Sequence, residues 1–173
     1  MRRNVQLKDR KVSIDAVPSF RLVIFTRLLK ERGKGMDLIE QEKLKHVTIY
    51  RVKDFPHVAV VEATSPYIPI QEFKEAFQYI GELVVRQKIT KLIFDKRKLS
   101  VFHQPSMVWY FVDWKERMLE NGLTTHRKLL PADNAFRESV KIGRAKINKA
   151  YPNGKFHNMD IAYAENLEDA VTK

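Results

Sequence analysis

The chain contains no cysteine, and that absence removes disulfides, zinc–thiolate sites and thiol catalysis at once. Glycine is scarce, with six residues in 173, and no Gly-rich phosphate-binding loop can be assembled from them. No apolar run approaches the ~20 residues that a membrane-spanning helix needs. The five histidines, His46, His57, His103, His126 and His157, fall in separate segments without metal-ligand spacing. Neither a nucleophile elbow nor a paired-carboxylate motif is present. These gaps point away from an enzyme, a metal centre or a cofactor. The missing thiols suit a reducing cytoplasm.

What the chain does have is positive charge, unevenly spread. The formal net charge is +11, yet residues 1–35 hold ten Lys and Arg against Asp9, Asp15 and Glu31. That segment therefore carries +7, and the rest of the chain only +4. Its apolar patch, Phe20-Arg21-Leu22-Val23-Ile24-Phe25, is broken by arginine and lacks the small-residue cleavage site of a secretory signal. A basic arm of this kind fits a membrane surface or a nucleic acid. Lys30-Glu31-Arg32-Gly33-Lys34-Gly35 can also be written entirely in purine codons, as a translated ribosome-binding site would be, and Met36 follows directly. The expectation is a basic extension over residues 1–40, with a native start at Met36, and a domain over 41–173. A peptide from residues 11–21, found in the protein from its own cells, would contradict that start.

The patterning after residue 46 alternates between strand and helix. His46–Val52 is β-branched and aromatic, Asp54-Phe55-Pro56-His57 supplies turn chemistry, and Val58–Ala63 is a second strand of a hairpin. Pro69 opens a helix whose Ile70, Phe73, Phe77, Ile80 and Val84 form one stripe. Lys91-Leu92-Ile93-Phe94-Asp95 is a short apolar run between helices, the signature of a buried central strand. Pro105 starts a second helix that ends near Asn121-Gly122, and a weaker strand follows at Arg127–Leu130. Asp133 or Asn134 caps a third helix with Phe136, Val140, Gly143, Ile147 and Tyr151 on one face. Met159–Ala164 is a last strand, and Asn166 caps a C-terminal helix. The order β-β-α-β-α-β-α-β-α predicts an α/β fold: a mixed, mostly parallel sheet of about five strands with helices packed on it.

Residues 46 to about 171 resemble the STAS domain family (sulphate transporter and anti-sigma-factor antagonist), especially its stand-alone, divergent bacterial members. The resemblance rests on element order, on Ile93-Phe94-Asp95 followed by Lys96-Arg97-Lys98, and on Asp160-Ile161-Ala162-Tyr163 followed by Asn166-Leu167-Glu168-Asp169-Ala170-Val171. It implies a non-catalytic regulatory or protein-interaction module. In that family a serine in an Asp-Ser-x-Gly motif after the central strand is a phosphorylation switch. The motif is absent here; Ser106, in the first turn after Pro105, is the nearest stand-in, and Ser100 lies in the loop.

Three further groups are candidates. The second helix holds Met107-Val108-Trp109-Tyr110-Phe111-Val112, then Trp114 and Met118. If Val108, Phe111, Val112 and Leu119 face the sheet, with Lys115 snorkelling between them, then Trp109, Tyr110, Trp114 and Met118 are left to bind a protein partner or a second copy. The alternative is that loops cover them. Lys96, Arg97 and Lys98, together with Arg137, Lys141 and Arg144 on the third helix, are candidates for an anion or nucleic acid, against snorkelling at a solvated face. Asp95 and His103 could form an acid–base pair, although an Asp at a strand end is more commonly solvated. The aromatic surface also admits a lipid or small-molecule carrier of CRAL-TRIO type.

Overall fold

The computed structural model describes residues 35–101 and 103–173. The chain divides into two compact units, residues 1–35 and 36–173, and every described strand and helix belongs to the second. The expectations for the basic extension and its start lie outside the described residues.

Six strands form one sheet in strictly sequential order: β1 (Leu38–Lys43), β2 (Val47–Val52), β3 (Phe55–Ala63), β4 (Lys91–Asp95), β5 (Thr125–Leu129) and β6 (Asp160–Tyr163). The first three pair antiparallel and the last four run parallel. The parallel strands are joined by α1 (Ile70–Gln87), by a composite α2 and by α3 (Asn134–Ala150). In α2 a π-helical stretch, Tyr110–Lys115, separates α-helical Gln104–Trp109 from Glu116–Glu120. A short 3-10 turn at Lys155–Asn158 precedes β6, and α4 (Leu167–Thr172) closes the chain. The fold is α/β, as the alternation of elements predicts, with one strand more than expected.

That strand is β1. Leu38-Ile39-Glu40-Gln41-Glu42-Lys43 has little β-propensity and no alternation that periodicity could find. Its strand geometry comes from pairing with β2, across a bulge between Glu40 and Glu42. It lies at the sheet edge, where Glu40, Glu42 and Lys43 discourage further strand addition. The strand also runs across residue 40, where the domain boundary was expected.

Alternate residues sort to the two faces of the sheet. Ala59, Val61, Leu92 and Phe94 meet Phe73, Phe77 and Ile80 of α1, Tyr110 and Trp114 of α2, and Val140 and Ile147 of α3 in one core. Each of those large side chains contributes roughly 1.5–3 kcal/mol by leaving water. The opposite face, with Val58, Val60, Ile93 and Leu129, is covered by Ala170 and Val171 of α4. Gly143 lets α3 approach α2: a Cβ there would stand 2.6 Å from Gln104 Oε1 and 3.1 Å from Met107 Sδ. Tyr151, expected on the same face, is exposed because it lies past the last helical turn. Asp133 caps α3 by accepting from Phe136 N at 2.7 Å, and Asn166 caps α4 from Asp169 N at 2.9 Å.

Candidate functional site

The least ordinary core residues come from β5. Alternation turns Leu129 toward α4 and sends Arg127 to the same face, where it bonds Asp160 and the Lys173 carbonyl. His126 and Lys128 therefore face the helices. In register, His126 stands between Leu92 and Ile161, and Lys128 between Phe94 and Tyr163. Two polar groups thus occupy positions where a parallel strand ordinarily carries valine or isoleucine.

From above, α2 meets them. A π turn holds more residues than an α turn, and such segments recur at functional sites. Here it directs Tyr110, Phe111, Trp114 and Lys115 inward. Tyr110 Oη and His126 Nε2 are 3.3 Å apart, and Trp114 Nε1 donates to the Phe77 carbonyl at 2.6 Å. Lys115 is fully buried and its Nζ has no hydrogen-bond partner. It lies 4.0 Å from the Phe111 ring centroid and 4.8 Å from that of Tyr110. Lys128 Nζ lies 5.2 Å from the Phe111 ring and 5.7 Å from the Tyr163 ring. The ring faces offset part of the cost of burying these cations.

Burial dominates the electrostatics. It pushes the Lys96 ammonium down to about 7. Burial, then the charges of Lys128, Lys96 and Arg144, hold Lys115 well below the usual lysine range. Lys128 is lowered by burial, then by Lys96 and Arg144. His126 is lowered by burial first, then by Lys115, Lys128, Lys96 and Arg144. Among the described residues no acidic side chain acts on Lys115, Lys128 or His126. Lys115→Met, which keeps the volume and removes the ammonium, is expected to raise the free energy of unfolding at pH 7 by about 1–4 kcal/mol. Urea titration reads this, and an equal loss would reveal a stabilising partner for Nζ.

Beside this cluster lies an open groove of about 670 Å³ between α3 and the end of β6. Its α3 wall carries Arg137, Lys141, Arg144 and Asn148, spaced to share one helix face, and its other wall carries Tyr163, Ala164 and Glu165. Asn148 Oδ1 is buried there without a partner. Arg137 is anchored by donating from Nε to the Pro131 carbonyl at 2.6 Å. Lys141 stands 3.6 Å from Glu138, an exposed pair of little energetic weight. Arg144 and Tyr163 belong both to the groove and to the surroundings of Lys128. The site sits at the carboxyl ends of the parallel strands, where α/β sheets usually bind their ligands.

Other sequence candidates fall elsewhere. Tyr110, Trp114 and Met118 are buried, not surface groups, which corrects the expectation that they face outward. Of the stripe expected to face the sheet, Phe111 is buried, whereas Val108, Val112 and Leu119 are only half-buried, and Lys115 is sealed in rather than snorkelling. The larger aromatics gain more by burial, and the Trp114 and Tyr110 polar atoms find partners inside. Trp109 is half-buried, edge-on to Phe73 with Lys74 Nζ 5.5 Å above its ring. Lys96, Arg97 and Lys98 do not converge as an anion site. Arg97 is held by Asp95 in a two-pronged pair, Lys98 bonds Glu62 at 2.8 Å, and Lys96 turns inward over Phe94. Ser106 is buried, with Oγ 3.1 Å from His103 Nδ1, whereas Ser100 is exposed and donates to the Pro66 carbonyl. With Asp95 on Arg97 and His103 on Ser106, the acid–base pair is not assembled. Among the described residues no cluster of three or more His, Asp or Glu could hold a metal ion, and no helix is long and apolar enough to cross a membrane.

The fold is an α/β domain with an open groove lined by Arg137, Lys141 and Arg144 and by Glu138 and Glu165. No protein-family model, curated protein or solved structure matches the chain.

Proposed function

We propose that the chain is a non-catalytic binding module, regulatory in kind, that takes a small molecule in the groove between α3 and the end of β6. One observation carries this reading: a groove of about 670 Å³ stands at the carboxyl ends of the parallel strands and backs onto lysines on which no carboxylate among the described residues acts. Buried charges are ordinarily paired. An unpaired set beside an opening is better explained by a ligand than by stability. The STAS resemblance remains part of the reading, supported by the order of elements from β2 onward. Burial of Tyr110, Trp114 and Met118 removes the surface on which docking through the aromatic helix would rest, so the small-molecule reading takes first place.

A fragment screen followed through backbone amide resonances tests it. Hits should cluster at Ala145, Asn148, Tyr163 and Ala164. Hits confined to the shallower groove beside Gly81, Trp114 and Met118, or none at all, would overturn the reading.

A further inference from the structure

We infer that the groove selects an organic phosphate monoester with an apolar body, its phosphoryl group seated against Arg144 and Lys128 with Lys115 behind them. This rests on the proposed binding site and names the chemistry of its ligand.

The argument begins with charge count. Arg144, Lys128 and Lys115 come from three elements, α3, β5 and α2: Lys115 and Lys128 meet at the Phe111 ring, Lys128 lies 5.7 Å from the ring of Tyr163, which lines the groove with Arg144, and the charge of Arg144 acts on both lysines. A carboxylate brings one charge and two oxygens. A phosphate monoester brings nearly two charges and three acceptor oxygens, which suits a guanidinium fork plus ammonium donors. Lys115 Nζ in particular is shut off from solvent and has no hydrogen-bond partner, only the Phe111 and Tyr110 rings beside it. An anion beside it would supply the missing compensation.

The rest of the groove describes the ligand's body. Leu130, Ala145 and Ala164 give it apolar walls, and the half-exposed Tyr163 offers a ring face. Glu138 and Glu165 also line it. Glu138, beside Lys141, and Glu165 on the other wall offset the charges of Arg137 and Lys141, and so disfavour a second anionic group on the ligand. A nucleic-acid backbone, with charge at every step, would meet these carboxylates.

Protonation couples to this binding. The titratable and charged groups around the site are Lys96 at the end of β4, Tyr110 and Lys115 on α2, His126 and Lys128 on β5, Arg137, Glu138, Lys141 and Arg144 on α3, and Tyr163 and Glu165 at the end of β6. A phosphoryl group favours the charged form of the lysines that burial has pushed down. Binding should therefore be accompanied by net proton uptake from solution.

The test uses the full chain and isothermal titration with phenyl phosphate, benzoate and benzyl alcohol, in two buffers of different ionisation heat. Phenyl phosphate should bind at least about tenfold more tightly than either other probe, with net proton uptake. Arg144→Met and Lys128→Met should each weaken it roughly tenfold to a hundredfold. Amide resonances should show that both variants remain folded, as expected for losing a half-buried or buried cation. A soluble short-chain phosphatidic acid and a hexose phosphate distinguish the body, and the first should bind more tightly. Tighter binding of the hexose phosphate would overturn the apolar body, and equal binding of benzoate or benzyl alcohol would overturn the phosphate. Unchanged affinity in both variants would overturn the placement. Silence of all probes at the groove amides would instead count against the binding site itself.

Discussion

Trp114→Ala is expected to lower the free energy of unfolding by about 3–5 kcal/mol and to leave the elution volume of the folded protein unchanged. Trp114 is among the largest fully buried side chains. It stacks on Tyr110 with ring centroids 5.3 Å apart, meets Phe77 edge-on at 5.0 Å, and donates its indole N–H to the Phe77 carbonyl. Truncation opens a cavity among these rings and strands a buried carbonyl, so transfer, packing and hydrogen-bond losses add. Chemical denaturation followed by circular dichroism gives the first number, and size-exclusion chromatography with light scattering gives the second. A mild stability effect combined with a change in association would mean that the indole faces a partner after all.

Stability is expected to rise with pH from about 7 to 9.5, because burial disfavours the charged form of the inward-facing lysines. The sign follows from linkage. Lys96 releases its proton at about 7 in the fold, against 10.5 for an unperturbed lysine, so across that interval the unfolded chain binds the extra proton. Each group in this condition adds about 1.4 kcal/mol of unfolding free energy per pH unit. Lys96 alone then contributes roughly 3 kcal/mol by pH 9.5, and Lys115 and Lys128, lowered in the same direction, add to it. His126, lowered from 6.5, acts with the same sign at lower pH. Tyr110 is raised well above 10.0, so it opposes only beyond the window, where the unfolded tyrosine ionises. Urea midpoints at constant ionic strength measure the slope; a flat or falling profile from pH 7 to 9.5 would show that the lysines are solvated or paired.

Much of the architecture is legible in residue order. β4 declares itself because four apolar or acidic letters between two amphipathic helices leave few alternatives, and α1 because its stripe is regular. β1 is invisible because pairing with β2, not its own composition, makes it a strand. The face of α2 could not be read because almost every residue from Met107 to Val112 is apolar, so periodicity does not choose a side. Volume and the partners of Trp114 and Tyr110 choose it instead.

The site was half legible. Arg137, Lys141 and Arg144 stand out as a basic helix face, and the structure brings them to the groove. Lys115, His126 and Lys128 were missed as a group because they come from two elements that meet only in the fold. A partial signal existed: in the strand expected at Arg127–Leu130, Arg127 and Lys128 fall on opposite faces, so covering both faces had to bury a cation on each, whereas His126 lay outside the expected bounds and enters only because β5 starts at Thr125.

The most direct measurement is the titration of the lysine side chains by nuclear magnetic resonance, with Lys115 and Lys128 assigned by substitution. In the free protein both should lose their protons well below the ordinary lysine range, and adding phenyl phosphate should move their titrations back up. Ammonium signals that persist to the ordinary lysine range without any ligand would contradict the uncompensated cluster and the groove's role with it.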